Sequence, residues 1–242
     1  MNHIVKPALI LTLLAFFSAL VLSHARKITD PYILSQETAK HKQAVELVLH
    51  GYTIGEELIA KLDDDTKFGY WTGTRVEDDL EINAYAFISA VRGYSGEIKS
   101  MVGIDEEDKI LGISIIQQNE TPGFGDRINE SGNKKTILNA LFGYRTLSNE
   151  KTAPWFQKQF TGIDLNKKIL ILKKELQTKE ISSDLIEQNA ITAVTGATAT
   201  TTAIVNGLKD SLIKFKKVRL IIEQERLLIE QNRENQGQEN NK

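Results

Sequence analysis

The segment near the amino terminus is one that an ordinary soluble domain would not leave on its surface. Pro7 to Ser23 carries no charged residue over 17 positions, with Lys6 before it and Arg26 and Lys27 after it. A helix this apolar on every side needs lipid or a large core around it. The sequence therefore predicts one N-terminal transmembrane helix, and we assign residues 1–27 to a membrane anchor.

A second interpretation of this segment stays open. Ser23, His24 and Ala25 place small residues at the offsets of a signal-peptide cleavage site. Counting cations does not settle the orientation either. Arg26 and Lys27 outnumber Lys6, and a literal positive-inside count would keep the following domain in the cytoplasm.

Composition excludes several kinds of chemistry from the remaining chain. The sequence has no cysteine, and its four histidines all lie before residue 51. Thiolate metal sites, Fe–S clusters, cysteine nucleophiles and a histidine-based triad in the main domain are thus excluded. The near balance of charge, a net −2, argues against a nucleic-acid binder, which normally shows a basic face or tract. Redox or group-transfer chemistry would need a cofactor that requires none of these ligands.

Hydrophobic patterning predicts an α+β domain with antiparallel strands and flanking helices. Residues 83–92 are apolar on both alternating faces, which is typical of a strand buried on both sides. Residues 98–104 and 110–117 flank the charged turn DEEDK and predict a hairpin. The other expected elements are a helix at 35–50 capped by Ser35, helices at 134–142 and 182–190, and a strand at 167–174. No firm element is predicted for residues 56–81.

A long amphipathic helix follows a run of threonines near the carboxyl terminus. Its apolar residues recur every three, four or seven positions up to about residue 230: Ile204, Leu208, Leu212, Phe215, Val218, Ile222 and Ile229. The polar residues 231–242 predict disorder. We assign 28–215 to the main domain and 216–242 to a charged helical tail, which is either a docking or coiled-coil helix or a solvated one.

Three short stretches carry the functional signal, and each alone is weak. They are GYSG (93–96), NETPGFGD (119–126) and TGAT (195–198). The first two are typical of turns, with a proline at the second place of the ETPG turn. TGAT alone is typical of a helix N-cap supplied by Thr195 or Thr198.

In this order and spacing, the three stretches resemble the FMN-binding subunits of membrane respiratory complexes. The resemblance covers most of residues 80–210 and the apolar segment. It is strongest to the G subunit of the Rnf electron-transport complex, and the C subunit of the sodium-translocating NADH:quinone reductase is a near relative. The resemblance implies an electron-carrying protein with FMN as its cofactor, and with the other membrane subunits and a flavin transferase as its partners. It also implies a location in the cell inner membrane with the main domain on the periplasmic side, against the charge count.

The resemblance implies a covalent anchor in TGAT. In the family, a transferase joins the phosphate of FMN to the last threonine of this motif, here Thr198, with Thr195, Gly196 and Ala197 as the rest of the motif. The residue types agree with an external enzyme, because no base stands beside Thr198 to activate its hydroxyl. The amides at the start of the following helix would face the phosphate.

The resemblance also implies a flavin-contacting loop. It assigns Glu120, Thr121, Pro122, Gly123 and Gly125 to the cofactor site, with Asp126 continuing the motif. Tyr94, Ser95 and Gly96 shape the same pocket or form a simple turn. Trp155 and Phe156 are more typical of core residues than of flavin contacts. Thr200, Thr201 and Thr202 either contact the phosphate or have no role.

One position departs from the family pattern. Thr192 stands where the family usually has an acid, three residues before the first residue of the motif, and this bears on recognition by the transferase. The alternatives are the C subunit of a sodium-translocating NADH:quinone reductase, a stand-alone flavoprotein, and a membrane-anchored sensor or binding module without flavin.

Overall fold

The structure is a computed structural model, and it describes residues 2–62, 66–129, 154–173 and 183–239. Contacts divide the chain into two compact units, residues 1–43 and residues 44–242. The predicted helix at 134–142 lies outside the described residues.

The first unit is helical, and its apolar side chains are exposed. Helix α1 runs from Asn2 to Val48, and among the described residues it is the one helix long and apolar enough to cross a membrane. The predicted start at Ser35 is wrong. Ser35 lies inside α1, and its hydroxyl donates to the Tyr32 carbonyl at 2.9 Å. The helix continues from the preceding residues, so no free amides are left at this point for Ser35 to cap.

The second unit is built on a five-stranded antiparallel meander. The strands are β1 (Thr53–Lys61), β2 (Lys67–Glu77), β3 (Leu80–Arg92), β4 (Glu97–Asp105) and β5 (Ile110–Gln118). Each strand pairs with the next one along the chain, in the order β1-β2-β3-β4-β5. The predicted strand at 83–92 and the predicted hairpin are confirmed. β1 and β2 were not predicted. β1 is largely exposed on both faces and shows no apolar alternation.

The central strand β3 is covered on both faces, as predicted. On one face, Ala84 and Ala86 contact the last turn of α1 through a cluster that includes Val45 and Val48. On the other face, Phe87 packs into the main core. A Cβ on Gly103 of the neighbouring strand would lie 2.6 Å from the Val48 carbonyl oxygen. The end of α1 therefore rests directly on sheet backbone.

The long C-terminal helix provides the other half of the main core. Helix α4 runs from Thr198 to Glu239, so the disorder predicted from residue 231 is replaced by helix as far as Glu239. Its predicted apolar face is confirmed by the buried side chains Ile204, Leu208, Leu212, Phe215 and Val218. At the centre, the Phe215 ring lies 5.2 Å from the Phe87 ring and 5.1 Å from the Tyr85 ring, between centroids.

Short elements connect the sheet to α4. They are a 3₁₀ turn (Gly125–Asn129), α2 (Trp155–Lys158), β6 (Leu170–Leu172), α3 (Ser183–Glu187) and β7 (Ala190–Thr192). β6 and β7 form a separate parallel pair. The predicted strand at 167–174 and the helix at 182–190 are confirmed as shorter elements, and β7 was missed because three residues show no period.

A buried carboxylate fastens α4 to the turn between β4 and β5. Asp108 is 5% exposed. It lies 3.2 Å from Lys216 Nζ and accepts a hydrogen bond from Arg219 at 2.9 Å. Asn166 donates to the same carboxylate at 3.3 Å. The guanidinium of Arg219 also lies over the Tyr85 and Phe215 rings, 5.2 and 5.1 Å from their centroids.

We expect Asp108→Ala to lower the free energy of unfolding by about 2 kcal/mol. Removing one partner of a buried pair costs about 3–5 kcal/mol, but the Lys216 and Arg219 side chains are 44% and 31% exposed, so water compensates part of the loss. The measurement is urea unfolding followed by tryptophan fluorescence. Glu107→Ala is the matched control, since Glu107 pairs with Lys109 in an exposed position. Equal losses in the two variants would contradict the expectation.

Candidate functional site

Three loops that are far apart in the sequence meet at one end of the main sheet. They are the β3–β4 turn, the loop after β5 and the turn before α4, which are the three stretches that the sequence singled out. Together they enclose a pocket of about 440 Å³. Its lining residues are Tyr94, Glu120, Thr121, Phe124, Gly125, Gly196, Ala197, Ala199 and Thr200.

Glu120 joins the three loops. Its carboxylate accepts a hydrogen bond from the Ser95 amide at 3.2 Å and another from the Thr200 hydroxyl at 2.9 Å. Only 7% of the residue is exposed. A Cβ on Gly93 would overlap Glu120 Oε1, and one on Gly125 would lie 2.5 Å from Oε2. Glycine at both positions therefore makes room for this carboxylate.

The ETPG loop is a tight turn whose residues have different roles. The Phe124 amide donates to the Thr121 carbonyl at 3.2 Å, and Gly123 has a φ of 82°. Proline at the second place and glycine at the third are typical of a type II turn. Pro122 and Gly123 are exposed and are not among the pocket's lining residues. We conclude that these two residues shape the loop, whereas Glu120, Thr121 and Gly125 line the pocket.

Two exposed aromatic side chains border the pocket. Tyr94 is 78% exposed and Phe124 is 55% exposed. Between their loops, the Ser95 and Thr121 hydroxyls lie 2.6 Å apart and share a hydrogen bond. Phe124 was not predicted as a pocket residue, although an aromatic side chain inside a glycine- and proline-rich loop is a usable signal.

The TGAT stretch is a turn locked onto the start of α4. The Ala197 amide donates to the Val194 carbonyl at 2.9 Å, and Gly196 has a φ of 79°. The Thr201 hydroxyl accepts from the Val194 amide at 3.2 Å and donates to the Ala197 carbonyl at 3.2 Å. The geometry of this turn is therefore fixed by a buried side chain rather than by Thr195 or Thr198.

Thr198 begins α4 and is partly exposed, while Thr195 and Gly196 are exposed. Among the described residues, neither the Thr195 nor the Thr198 side chain makes a capping hydrogen bond, so the simple N-cap interpretation of TGAT is wrong. The first amides of an α-helix lack intrahelical acceptors. Because Ala197, Ala199 and Thr200 line the pocket, this end of the helix borders it.

The three threonines after TGAT have distinct positions. Thr200 lines the pocket and donates to Glu120. Thr201 holds the turn as described, and the Thr202 hydroxyl donates to the Thr198 carbonyl at 2.8 Å. From the sequence, these hydroxyls were expected either to contact the phosphate or to have no role. The structure gives each of them a hydrogen bond within the protein.

The remaining candidates lie in or beside the core. Phe156 is fully buried and Trp155 packs against the same cluster, as predicted. Thr192 is also fully buried, and its amide donates to the Gln159 side chain at 2.7 Å. In the described part of the chain, Thr192 Oγ1 and Asp126 Oδ1 are buried without a hydrogen-bond partner. The position that departs from the family pattern is thus an interior one.

The residues present suit a flat ring that carries an anionic group. A pocket of this size falls in the range of about 300–1,000 Å³ that is typical of small-molecule sites. Tyr94 and Phe124 offer apolar ring surface, and Gly125 keeps the pocket wall open beside Glu120. The first turn of α4 offers amides and a positive dipole end to an anion. This combination fits a ligand that has both features.

Comparison with known proteins identifies the family. A model described as the FMN-binding domain matches residues 93–213, which is half of the 242-residue chain. The chain belongs to the FMN-binding domain family, and its cofactor is FMN. The matched range includes all three loops that form the pocket.

Curated relatives carry related names. The G subunit of the ion-translocating oxidoreductase complex of Haemophilus influenzae is 29% identical over 47% of this chain and 55% of its own length. The protein of the same name from Shewanella piezotolerans is 25% identical over 73% of this chain and 89% of its own length. The G subunit of the Na(+)-translocating ferredoxin:NAD(+) oxidoreductase complex of Acetobacterium woodii is 31% identical over 52% of this chain and 45% of its own length.

The match to the Haemophilus influenzae protein spans about half of that protein's length. Among solved structures, the C subunit of the Na(+)-translocating NADH-quinone reductase from Parabacteroides distasonis aligns over 76% of this chain and 94% of that one. The identity is 16% and the TM-score 0.49.

Proposed function

We propose that this chain is a membrane-anchored electron-transfer subunit of an Rnf-type ion-translocating oxidoreductase, and that its FMN is bound covalently through a phosphoester to Thr198. The observation that carries the proposal is the TGAT turn. It places a partly exposed threonine hydroxyl at the first residue of a helix that borders the pocket. The family membership and the names of the relatives supply the cofactor and the kind of complex.

The geometry of the turn supports Thr198 as the attachment point. Thr201 and Gly196 hold the turn in one conformation, while Thr195 and Gly196 remain exposed. A transferase can therefore reach the hydroxyl without unfolding α4. The Thr198 Oγ–phosphorus bond would form as the phosphoanhydride bond of a flavin dinucleotide donor breaks, with the other nucleotide leaving as its monophosphate and the hydroxyl proton passing to a base of the transferase.

The pocket supports a position for the ring beside the anchor. FMN supplies reversible electron transfer when bound, so the chain itself needs no acid, base or nucleophile for a substrate. The protein's residues would bind and orient the ring: Gly125, Glu120 and Thr121 from the loop after β5, with Tyr94 and Ser95 from the β3–β4 turn. Ala197, together with Gly196, would keep the turn narrow next to the phosphate.

The N-terminal helix supports membrane attachment. We infer that residues 1–27 anchor the protein in the inner membrane, that 28–215 form the FMN-binding domain on the periplasmic side, and that 216–242 form a charged tail. The partners in this proposal are the other membrane subunits of the complex. The flavin transferase acts on the chain during maturation.

Position 192, where the family usually has an acid, bears on recognition by the transferase. Thr192 is fully buried, so a transferase that binds the folded domain would not touch its side chain. We therefore expect Thr192 to leave modification possible.

The experiment that tests the proposal is the intact mass of the full chain produced with and without a working flavin transferase. We expect the transferase to add the mass of FMN less one water to the wild-type chain and nothing to Thr198→Ala. Thr195→Ala is the matched control in the same turn and should still be modified. An unmodified wild-type mass, with a control substrate modified by the same transferase, would disprove the covalent anchor.

A further inference from the structure

The strongest unexplained feature of the pocket is its buried carboxylate. Glu120 lines the pocket and is 93% buried, since only 7% of it is exposed. Within the described residues, no lysine or arginine forms an ion pair with it. Burying an unpaired charge is costly. A carboxylate kept in this position therefore calls for a role beyond closing a turn.

The hydrogen bonds around Glu120 fit the ionised form. An ionised carboxylate only accepts hydrogen bonds. The Ser95 amide can only donate to Oε1, and the Thr200 hydroxyl donates to Oε2. Both donors are neutral, so they stabilise the negative charge without cancelling it.

We propose that Glu120 lowers the reduction potential of the bound FMN, because its side chain places a negative charge beside the pocket. This inference rests on the proposed function, because it requires the ring to lie in this pocket. Reduction adds electrons to the ring, and a nearby negative charge opposes that addition. The effect is large where water is excluded, and Glu120 is screened from solvent on most of its surface.

Gly93 and Gly125 make this arrangement possible. A Cβ at either position would contact one of the two carboxylate oxygens. The two glycines therefore leave the space that the carboxylate occupies. Its oxygens are held there by the hydrogen bonds from the Ser95 amide and the Thr200 hydroxyl.

The test is a redox titration of FMN-loaded full-length protein, with loading checked first by intact mass. Glu120→Gln removes the charge and keeps the shape. Its amide oxygen can accept from the Ser95 amide, and the Thr200 hydroxyl can turn to accept from the new NH₂ group. We expect the ratio of reduced to oxidised FMN at a fixed potential to rise about tenfold, which is about 30 mV for a two-electron couple.

Thr200→Val provides a second variant with the opposite expected sign. It removes a donor from the carboxylate and keeps the charge, so the ratio of reduced to oxidised FMN should fall by about threefold, about 15 mV on the same scale. Thr200→Ser retains the hydroxyl donor and should therefore shift the ratio less than Thr200→Val does. If Glu120 only fastened the loops together, Glu120→Gln, which keeps both hydrogen bonds, would leave the ratio unchanged, whereas Thr200→Val, which removes one of them, would change it.

Glu97→Gln is the control for net charge. Glu97 lies at the start of β4, its side chain is 52% exposed, and it pairs with Lys99 at 3.5 Å. The substitution changes the net charge of the chain by the same amount but at a solvated position, so the potential should not move.

The outcomes separate this inference from the proposed function. A wild-type chain without attached FMN would refute the covalent anchor before any potential is measured. Loaded Glu120→Gln with the wild-type potential would overturn the inference and leave the anchor intact. If Glu120→Gln does not load, an unchanged or raised potential in loaded Thr200→Val would overturn it instead.

Discussion

Phe215→Ala is expected to lower the free energy of unfolding by about 3–5 kcal/mol, the typical cost of removing a buried aromatic side chain from a core. Phe215 is fully buried on α4. Its ring centroid lies within 6.4 Å of those of Phe68, Tyr70, Tyr85 and Phe87. These four rings come from β2 and β3, so one side chain fixes the helix across two strands.

The substitution also removes a partner of Arg219, whose guanidinium lies 5.1 Å from the Phe215 centroid. The measurement is urea unfolding of the full chain, followed by tryptophan fluorescence. Ile213→Ala is the matched control, because Ile213 is on the same helix and 57% exposed, and it should change the free energy of unfolding by no more than about 0.5 kcal/mol. A loss below about 1 kcal/mol for Phe215→Ala would show that α4 is held mainly by other contacts.

The parts of the fold that the sequence predicted are those with a strong local period. The α4 face repeats over five buried side chains from Ile204 to Val218, and the β4–β5 hairpin has apolar runs on both sides of a charged turn. β1 had no such signal. Leu58 and Ile59 of this strand are 44% and 66% exposed, so its place in the sheet depends on pairing with β2 and not on its own pattern.

Boundaries were less predictable, for physical reasons that differ at the two ends of the chain. Ser35 has the residue type of a cap, but the helix before it supplies the carbonyls that would otherwise be missing, and its hydroxyl bonds to Tyr32. Beyond residue 230, polar composition predicted disorder, whereas α4 continues to Glu239. Glutamate, glutamine and arginine have good helix propensity, so a polar segment rich in them can be helical.

The three motifs predicted which loops form the pocket, but they did not predict which of their residues line it. Pro122 and Gly123 were expected at the flavin, yet they lie outside the lining. Thr200 was expected either to contact the phosphate or to have no role, whereas its hydroxyl donates to Glu120. This contact joins residues 80 positions apart, and no pattern within either motif reports which side chains will meet across such a distance.

Gly125→Ala is expected to weaken the binding of free FMN to the unmodified chain at least tenfold, which corresponds to about 1.4 kcal/mol. The new Cβ would lie 2.5 Å from Glu120 Oε2, 2.8 Å from Glu120 Cβ and 2.9 Å from Thr200 Oγ1. The carboxylate tip can rotate away, but Glu120 Cβ is tied to the backbone, so the loop itself must shift. The pocket wall then moves toward the space that the ring requires.

Gly123→Ala separates this steric effect from the general intolerance of a glycine-rich loop. Gly123 has a φ of 82°, and a Cβ there would meet nothing within 4 Å. Alanine at this position strains the backbone by about 1–2 kcal/mol without entering the pocket, so stability should fall while FMN affinity stays near the wild-type value. Fluorescence titration of FMN with chain produced without the transferase measures both affinities. If Gly123→Ala weakened binding as much as Gly125→Ala, the ring would depend on the conformation of the turn and not on the open wall beside Glu120.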